Sequence, residues 1–155
     1  MFSAEKAGFG FRNATSKERD EDIDLVLWPY HDTKKAFAVA LKKTILKKSS
    51  KRKQLWGWVE LTNRFGGSGW LYSKCTFVVY ERKDDFVLIH KKDLRLWAEK
   101  ENLPRIDLPF VSNSWAASYR SYRRPNTMEV IFQVKVSDAL KKCRHHLWKK
   151  HERDS

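Results

Sequence analysis

Two acids and one lysine form a set that could do phosphoryl chemistry. Asp24 lies at the head of a β-branched, apolar run, IDLVLWPY. Lys42 closes a second run, AFAVALKK, and Glu60 lies inside a third, LWGWVELT. If these runs are neighbouring strands, the three side chains converge on one edge of a sheet. Carboxylates repel phosphates unless a divalent cation sits between them, so acids embedded in a strongly basic chain call for a metal. The two carboxylates would ligate Mg²⁺ or Mn²⁺, and Lys42 would stabilise charge developing in a transition state. Each residue also has a plainer reading. Asp22 and Asp24 can cap or solvate a helix end, Glu60 can pair with Lys42 or Lys74 across the sheet, and Lys42 is one lysine among many.

The elements that must position these residues follow from patterning. Thr15 and Glu18 match a capping box, so a short helix starts there and carries the acids Glu18, Asp20 and Glu21. Two strands then follow, joined across Pro29 and the polar turn HDTKK. The third strand directs Trp56, Trp58, Glu60 and Thr62 to one face, and Leu55, Gly57, Val59 and Leu61 to the other. After the glycine turn NRFGGSG, the segments KCTFVVYE and DDFVLIH are two more strands about a tight turn at 82–84. KKDLRLWAEKE predicts a helix burying Leu94, Trp97 and Ala98. From Pro104 the chain contains three of its four prolines and little periodicity, which predicts a long connection with a short helical piece around 114–122. A strand, MEVIFQVKV, and a terminal helix opened by Ser137 and running through DALKKCRHHLWKKH complete the chain. The expected fold is α+β, a single domain with a mostly antiparallel or mixed central sheet flanked by helices.

Composition narrows the partners. The 155 residues include 32 Lys+Arg against 19 Asp+Glu, a formal charge of +13. A polyanion is therefore the first candidate partner, nucleic acid before an anionic membrane or an acidic protein. With 41% hydrophobic residues and seven Trp, the chain has ample apolar side chain for a core. Two cysteines, Cys75 and Cys143, fit neither a disulfide framework nor a zinc finger, which predicts a reducing, cytoplasmic setting. The longest apolar runs, Phe77–Tyr80 and Phe86–Ile89, fall far short of a membrane span. The N-terminal MFSAEKAGFG has no apolar core of a secretory signal. No obligate small-molecule ligand is expected.

Several segments are candidates for gripping a phosphate backbone. Residues 42–53 predict a mobile basic loop that would present Lys43, Lys47, Lys48, Lys51, Arg52 and Lys53. Trp70 and Tyr72, beside Lys74, either pack into the core or stack on a base. Arg120, Arg123 and Arg124 lie among Tyr119 and Tyr122, combining guanidinium forks with rings. The terminal helix adds Lys141, Lys142, Arg144, Lys149 and Lys150. Other motifs lead nowhere. Gly66, Gly67 and Gly69 lack the GK[ST] of a phosphate loop, His31 and Thr33 have no second copy to complete a paired motif, and Cys143, His145, His146 and His151 are poorly spaced for zinc.

The order of an acid on a first strand, a strand ending in Lys42, and then Glu60 resembles the PD-(D/E)XK nuclease superfamily. The stretch WVELTNRFGGSGWLYSKCTFVVYERKDDFVLIHKKDLRLW is similar to a branch of small phage proteins in that superfamily. The resemblance covers about residues 14–100, which would form a restriction-endonuclease-like core, with 104–155 as a loop, strand and helix extension. It implies a Mg²⁺-dependent nuclease acting on DNA or RNA, with Asp24, Lys42 and Glu60 as its centre and Glu21 or Glu18 as a helix acid joining the metal. A phage protein of this kind would work in the host cytoplasm. Two positions depart from the pattern, because Ala40 stands where an acid usually precedes the lysine by two, and Thr76 stands where an Asp is expected. The alternative is a protein on the same fold that binds nucleic acid without cutting, or that blocks a host nucleoprotein as an anti-defence inhibitor. A third reading has the basic surface meet an acidic protein.

Overall fold

The computed structural model describes residues 4–49 and 51–150. The elements in chain order are β1 (Phe9–Asn13), α1 (Ser16–Asp20), β2 (Leu25–Pro29), β3 (Phe37–Lys42), β4 (Thr44–Ser49), β5 (Arg52–Thr62), β6 (Phe77–Glu81), β7 (Asp85–His90) and α2 (Lys91–Lys100), followed by β8 (Tyr122–Arg123), β9 (Val130–Lys135), α3 (Val136–Lys142) and β10 (His145–Lys149). They form an α+β structure with two sheets. One is six-stranded in the order β1-β2-β3-β6-β7-β10, and the other four-stranded in the order β4-β5-β9-β8. The β3–β6 pair is parallel and every other pair is antiparallel.

The runs FVVY and FVLI are apolar at every position because both faces of β6 and β7 are buried. Val78, Tyr80, Val87 and Ile89 face the main core, where they meet Val59, Phe132 and Val134 of the smaller sheet and Leu94 and Trp97 of α2. Phe77, Val79, Phe86 and Leu88 face a second cluster with Leu27 and Val39. That cluster is the inside of a curl. The six-stranded sheet bends until Phe9 on one edge strand stacks on Trp148 of the other, with ring centroids 4.9 Å apart.

The capping box predicted for α1 is present: Thr15 Oγ1 accepts from the Glu18 amide at 3.2 Å, and Glu18 Oε1 accepts from the Thr15 amide at 2.9 Å. The β2–β3 and β6–β7 hairpins, β5, α2 and β9 also form where patterning predicts them. Three segments differ. Residues 42–53, expected as a mobile loop, are mostly the β4–β5 hairpin, whose side-by-side pairs include Lys48 with Lys53; Ser50 at its turn lies outside the described residues. The C-terminal helix stops at Lys142, and residues 145–149 extend β7 as β10, placing Trp148 over Phe86 and Phe9 rather than on a helix face. GFGFRN, too glycine-rich and polar to be read as a strand, pairs with β2 as β1.

Between β3 and β4 lies a single residue, Lys43, so the chain turns a corner there and passes from the larger sheet to the smaller. Glu60 and Lys42 are consequently on different sheets. Their meeting is across the junction of two sheets, and the expectation that they share one sheet edge is corrected.

Candidate functional site

Two glycines shape that junction. A Cβ on Gly57 would lie 2.6 Å from the Tyr80 ring, so the missing side chain is the notch into which Tyr80 fits. Tyr80 then donates from its hydroxyl to the Trp58 carbonyl at 2.7 Å, locking the larger sheet to β5. A Cβ on Gly69 would lie 2.3 Å from the Glu60 carbonyl oxygen, so only glycine lets the chain run that close to β5. This approach lets the Gly69 amide donate to the Leu61 carbonyl at 2.8 Å. It also brings the amide of Trp70 to Glu60 Oε1 at 3.3 Å. Trp70 begins a 3-10 turn, Trp70–Tyr72, that packs on β5.

Lys42 faces the same side of β3 as Ala38 and Ala40, toward the main core, and sits at its edge. Its ammonium lies 5.4 Å from the Trp70 ring centroid, a cation–π contact. It also interacts electrostatically with Glu60 and Asp22. The cleft above, about 470 Å³, is bounded by Lys42, Glu60, Trp58, Tyr122, Arg124 and Glu129 among others.

The acids here are crowded. Glu60 is pushed up to about 7, chiefly by burial, then by the Asp22 charge and by the neighbouring Glu129 carboxyl, with Lys42 opposing. Asp22 is also raised, by burial first and further by Asp24, while Lys42 pulls against it. Glu129 is held on its other side by Arg124, whose Nε lies 2.9 Å from Glu129 Oε2. Cys75, buried beside this group, feels Lys91, Lys42 and Asp22, but burial dominates and keeps its thiol protonated.

The predicted residues fall into distinct places. Lys42 and Glu60 come together. Asp24 is engaged elsewhere: its Oδ2 accepts from the Leu41 amide at 2.7 Å, tying the entry of β2 to β3. The interaction with Glu60 belongs to Asp22, which sits in a left-handed turn with φ 61°. Glu21 closes α1, its amide bonded back to Glu18. Glu18 is held by Arg12 at 2.6 Å. Glu129, on a stretch read only as the start of a strand, had no signal in spacing to mark it. Ala40 is fully buried in the main core, where a carboxylate would have no water. Thr76 carries the strand start through its backbone, its amide donating to Ala38 and its carbonyl accepting from Lys91. Among the described residues no three His, Cys, Asp or Glu are already set as a metal-ligand group, so a cation would have to draw the carboxylates of Asp22, Glu60 and Glu129 inward. Their chemistry suits it: hard oxygen donors crowded together, with Asp22 and Glu60 pushed up by burial and by neighbouring charge, are what a divalent ion relieves.

Of the basic candidates, Lys43, Lys48, Lys51, Arg52, Lys53 and Lys74 are exposed, while ion pairs among the described residues engage other cations, for example Arg82–Asp85 and Arg144–Asp93. Lys47 is drawn inward, its Nζ 4.8 Å from the Trp56 ring and 5.8 Å from the Trp115 ring and bonded to Ser118 Oγ. Arg120 turns back to the Pro109 carbonyl at 2.7 Å. Trp70 is only 4% exposed and cannot stack on a base; Tyr72 is exposed, with Arg95 over its ring at 5.3 Å. Arg123 lies over Phe110 at 5.5 Å, and Arg124 borders the cleft. His151 lies outside the described residues. Among the described residues no helix is long and apolar enough to cross a membrane. Comparison with family models, with curated proteins and with solved structures finds no match.

Proposed function

We propose that this protein is a Mg²⁺-dependent nuclease-like protein that acts on the phosphodiester backbone of nucleic acid at the cleft between its two sheets. The observation that carries this is the presence of Lys42 and Glu60 on one cleft wall, with the charge of Asp22 felt by Glu60 and that of Lys42 by both acids. The order helix, hairpin ending in Lys42, then Glu60 supports the resemblance to the PD-(D/E)XK superfamily and its restriction-endonuclease-like core. Placement of β5 in a separate sheet is a departure from a single-sheet centre.

In this reading Asp22, Glu60 and Glu129 would hold the cation, replacing the expected Asp24 and Glu21. The ion supplies Lewis-acid polarisation of the phosphoryl oxygen. Lys42 places its ammonium where negative charge grows on the phosphoryl group, and the Trp70 ring beneath fixes its position. Exposed Lys43, Lys48, Lys51, Arg52 and Lys53 give the backbone a cationic approach.

A second reading is favoured by Ala40: without the acid two before the lysine, the same cleft binds nucleic acid and does not cut it, as an inhibitor of a host nucleoprotein would. Incubation of labelled DNA and RNA with Mg²⁺ or Mn²⁺ separates the two. Cleavage that disappears in Glu60→Ala and Lys42→Ala supports the nuclease. Binding without cleavage, unchanged or strengthened in Glu60→Ala because a negative charge facing phosphate is gone, supports the second.

A further inference from the structure

Trp115 is a large ring left 53% exposed on a backbone that is firmly mounted. It sits in the 3-10 turn Ser114–Ala116, capped by Asn113, whose Oδ1 accepts from the Ala116 amide at 3.0 Å. The fully buried Gln133 of β9 donates from Nε2 to the Ser114 carbonyl at 3.0 Å. The Gln133 amide bonds the Ala117 carbonyl at 2.9 Å, and the Tyr119 amide bonds the Gln133 carbonyl at 2.8 Å. The ring itself rests near Lys47, which is wedged against Trp56 beneath.

With its backbone fixed and one face open to solvent, the Trp115 indole presents a large ring held in place, backed by the Lys47 ammonium. Its neighbour Ser114 borders the cleft, which Trp58 and Tyr122 line together with Glu60 and Lys42. Trp115 is thus the residue next to a cleft wall that also carries the rings of Trp58 and Tyr122 and the cations Lys43 and Arg124. The cleft is of nucleotide scale.

We infer that the nucleic acid taken by this cleft is single-stranded, with an unpaired base stacked on Trp115 while its backbone runs on toward Lys42. This rests on the nucleic-acid reading above and adds strandedness to it. A duplex offers no free base face to an isolated ring, because its bases already stack on one another, whereas every unpaired base has one. The lysines of the β4–β5 hairpin grip phosphate of either form and do not discriminate.

The test is fluorescence anisotropy with a labelled DNA strand of about 16 nucleotides and with its duplex, in EDTA so that nothing is cut. The single strand should bind at least about tenfold more tightly than the duplex. Trp115→Ala should weaken single-strand binding by about 5- to 100-fold, the range for losing one stacked base, and leave duplex binding unchanged. Trp115→Phe, which keeps a stacking face, should restore most of it, and a thermal melt checks that both variants fold. Duplex binding equal to or tighter than the single strand, or a Trp115→Ala protein with unaltered single-strand affinity, overturns this inference and leaves the nucleic-acid reading standing. Binding of neither form overturns both.

Discussion

Glu60 accepts from the Trp70 amide at 3.3 Å on a cleft wall that it shares with Glu129, and burial together with the carboxylates nearby favours a proton on Glu60. That proton makes stability depend on pH. Glu60 ionises at about 7 in the folded chain against 4.5 unfolded. The folded state thus holds its proton longer, and the stabilisation is full below the unfolded value and is lost as pH rises through the folded one. Glu60→Gln keeps an oxygen for the Trp70 amide and removes the charge. Denaturant unfolding should find this variant more stable than the parent at pH 8, by about 1 kcal/mol after discounting for solvent at a half-buried site, and equal to it at pH 4. A pH-independent difference would contradict the raised ionisation of Glu60.

On the proposed reading a divalent ion would displace this proton and would bind only the folded chain, so it should stabilise by mass action. Thermal melts at pH 8 should rise on adding millimolar Mg²⁺ or Mn²⁺. The rise should vanish in Glu60→Ala and shrink in Asp22→Asn, while Asp24→Asn, whose carboxylate is engaged by the Leu41 amide, should lower the melt and keep the metal response. An equal loss of response in Asp24→Asn would restore Asp24 to the metal.

The notch at Gly57 holds the two sheets in register. Gly57→Ala places a methyl where the Tyr80 ring lies and should destabilise by about 1–3 kcal/mol, the range for overpacking a filled core. Tyr80→Phe removes only the bond to the Trp58 carbonyl and should lose about 1 kcal/mol. Chemical denaturation of both variants measures the contrast, and a mild Gly57→Ala would show that the sheets slide freely.

Lys48 and Lys53 stand opposite each other on β4 and β5, like charges that a purely structural hairpin would avoid. Lys48→Glu should raise stability by about 0.2–1 kcal/mol through a cross-strand pair. The same change should weaken nucleic-acid binding and flatten its dependence on salt. A variant that gains stability and keeps full affinity would remove the hairpin from the interface.

Much of this was legible in the sequence, for reasons that can be named. The capping box of Thr15 and Glu18, the alternation of β5 and the apolar runs of β6 and β7 each fix local structure by a short-range rule. Lys42 and Glu60 were readable as a pair because each lies on a well-patterned strand. Asp22 was not separable from Asp24, since its direction is set by a left-handed turn rather than by strand alternation. Glu129 joins through a pairing of β9 with β5 that spans some seventy residues of chain, for which local pattern carries no sign. Ala139, Leu140 and the lysines after them favour helix and form α3, but beyond Lys142 the edge of β7 takes residues 145–149 as β10 and seats Trp148 inside the curl.

The most direct measurement is an anomalous difference map from crystals grown with Mn²⁺. The account predicts a peak between Glu60 and Asp22, within reach of Glu129 and beside the Lys42 ammonium. A clean map at that position, or a peak held only by residues outside the cleft, would contradict it.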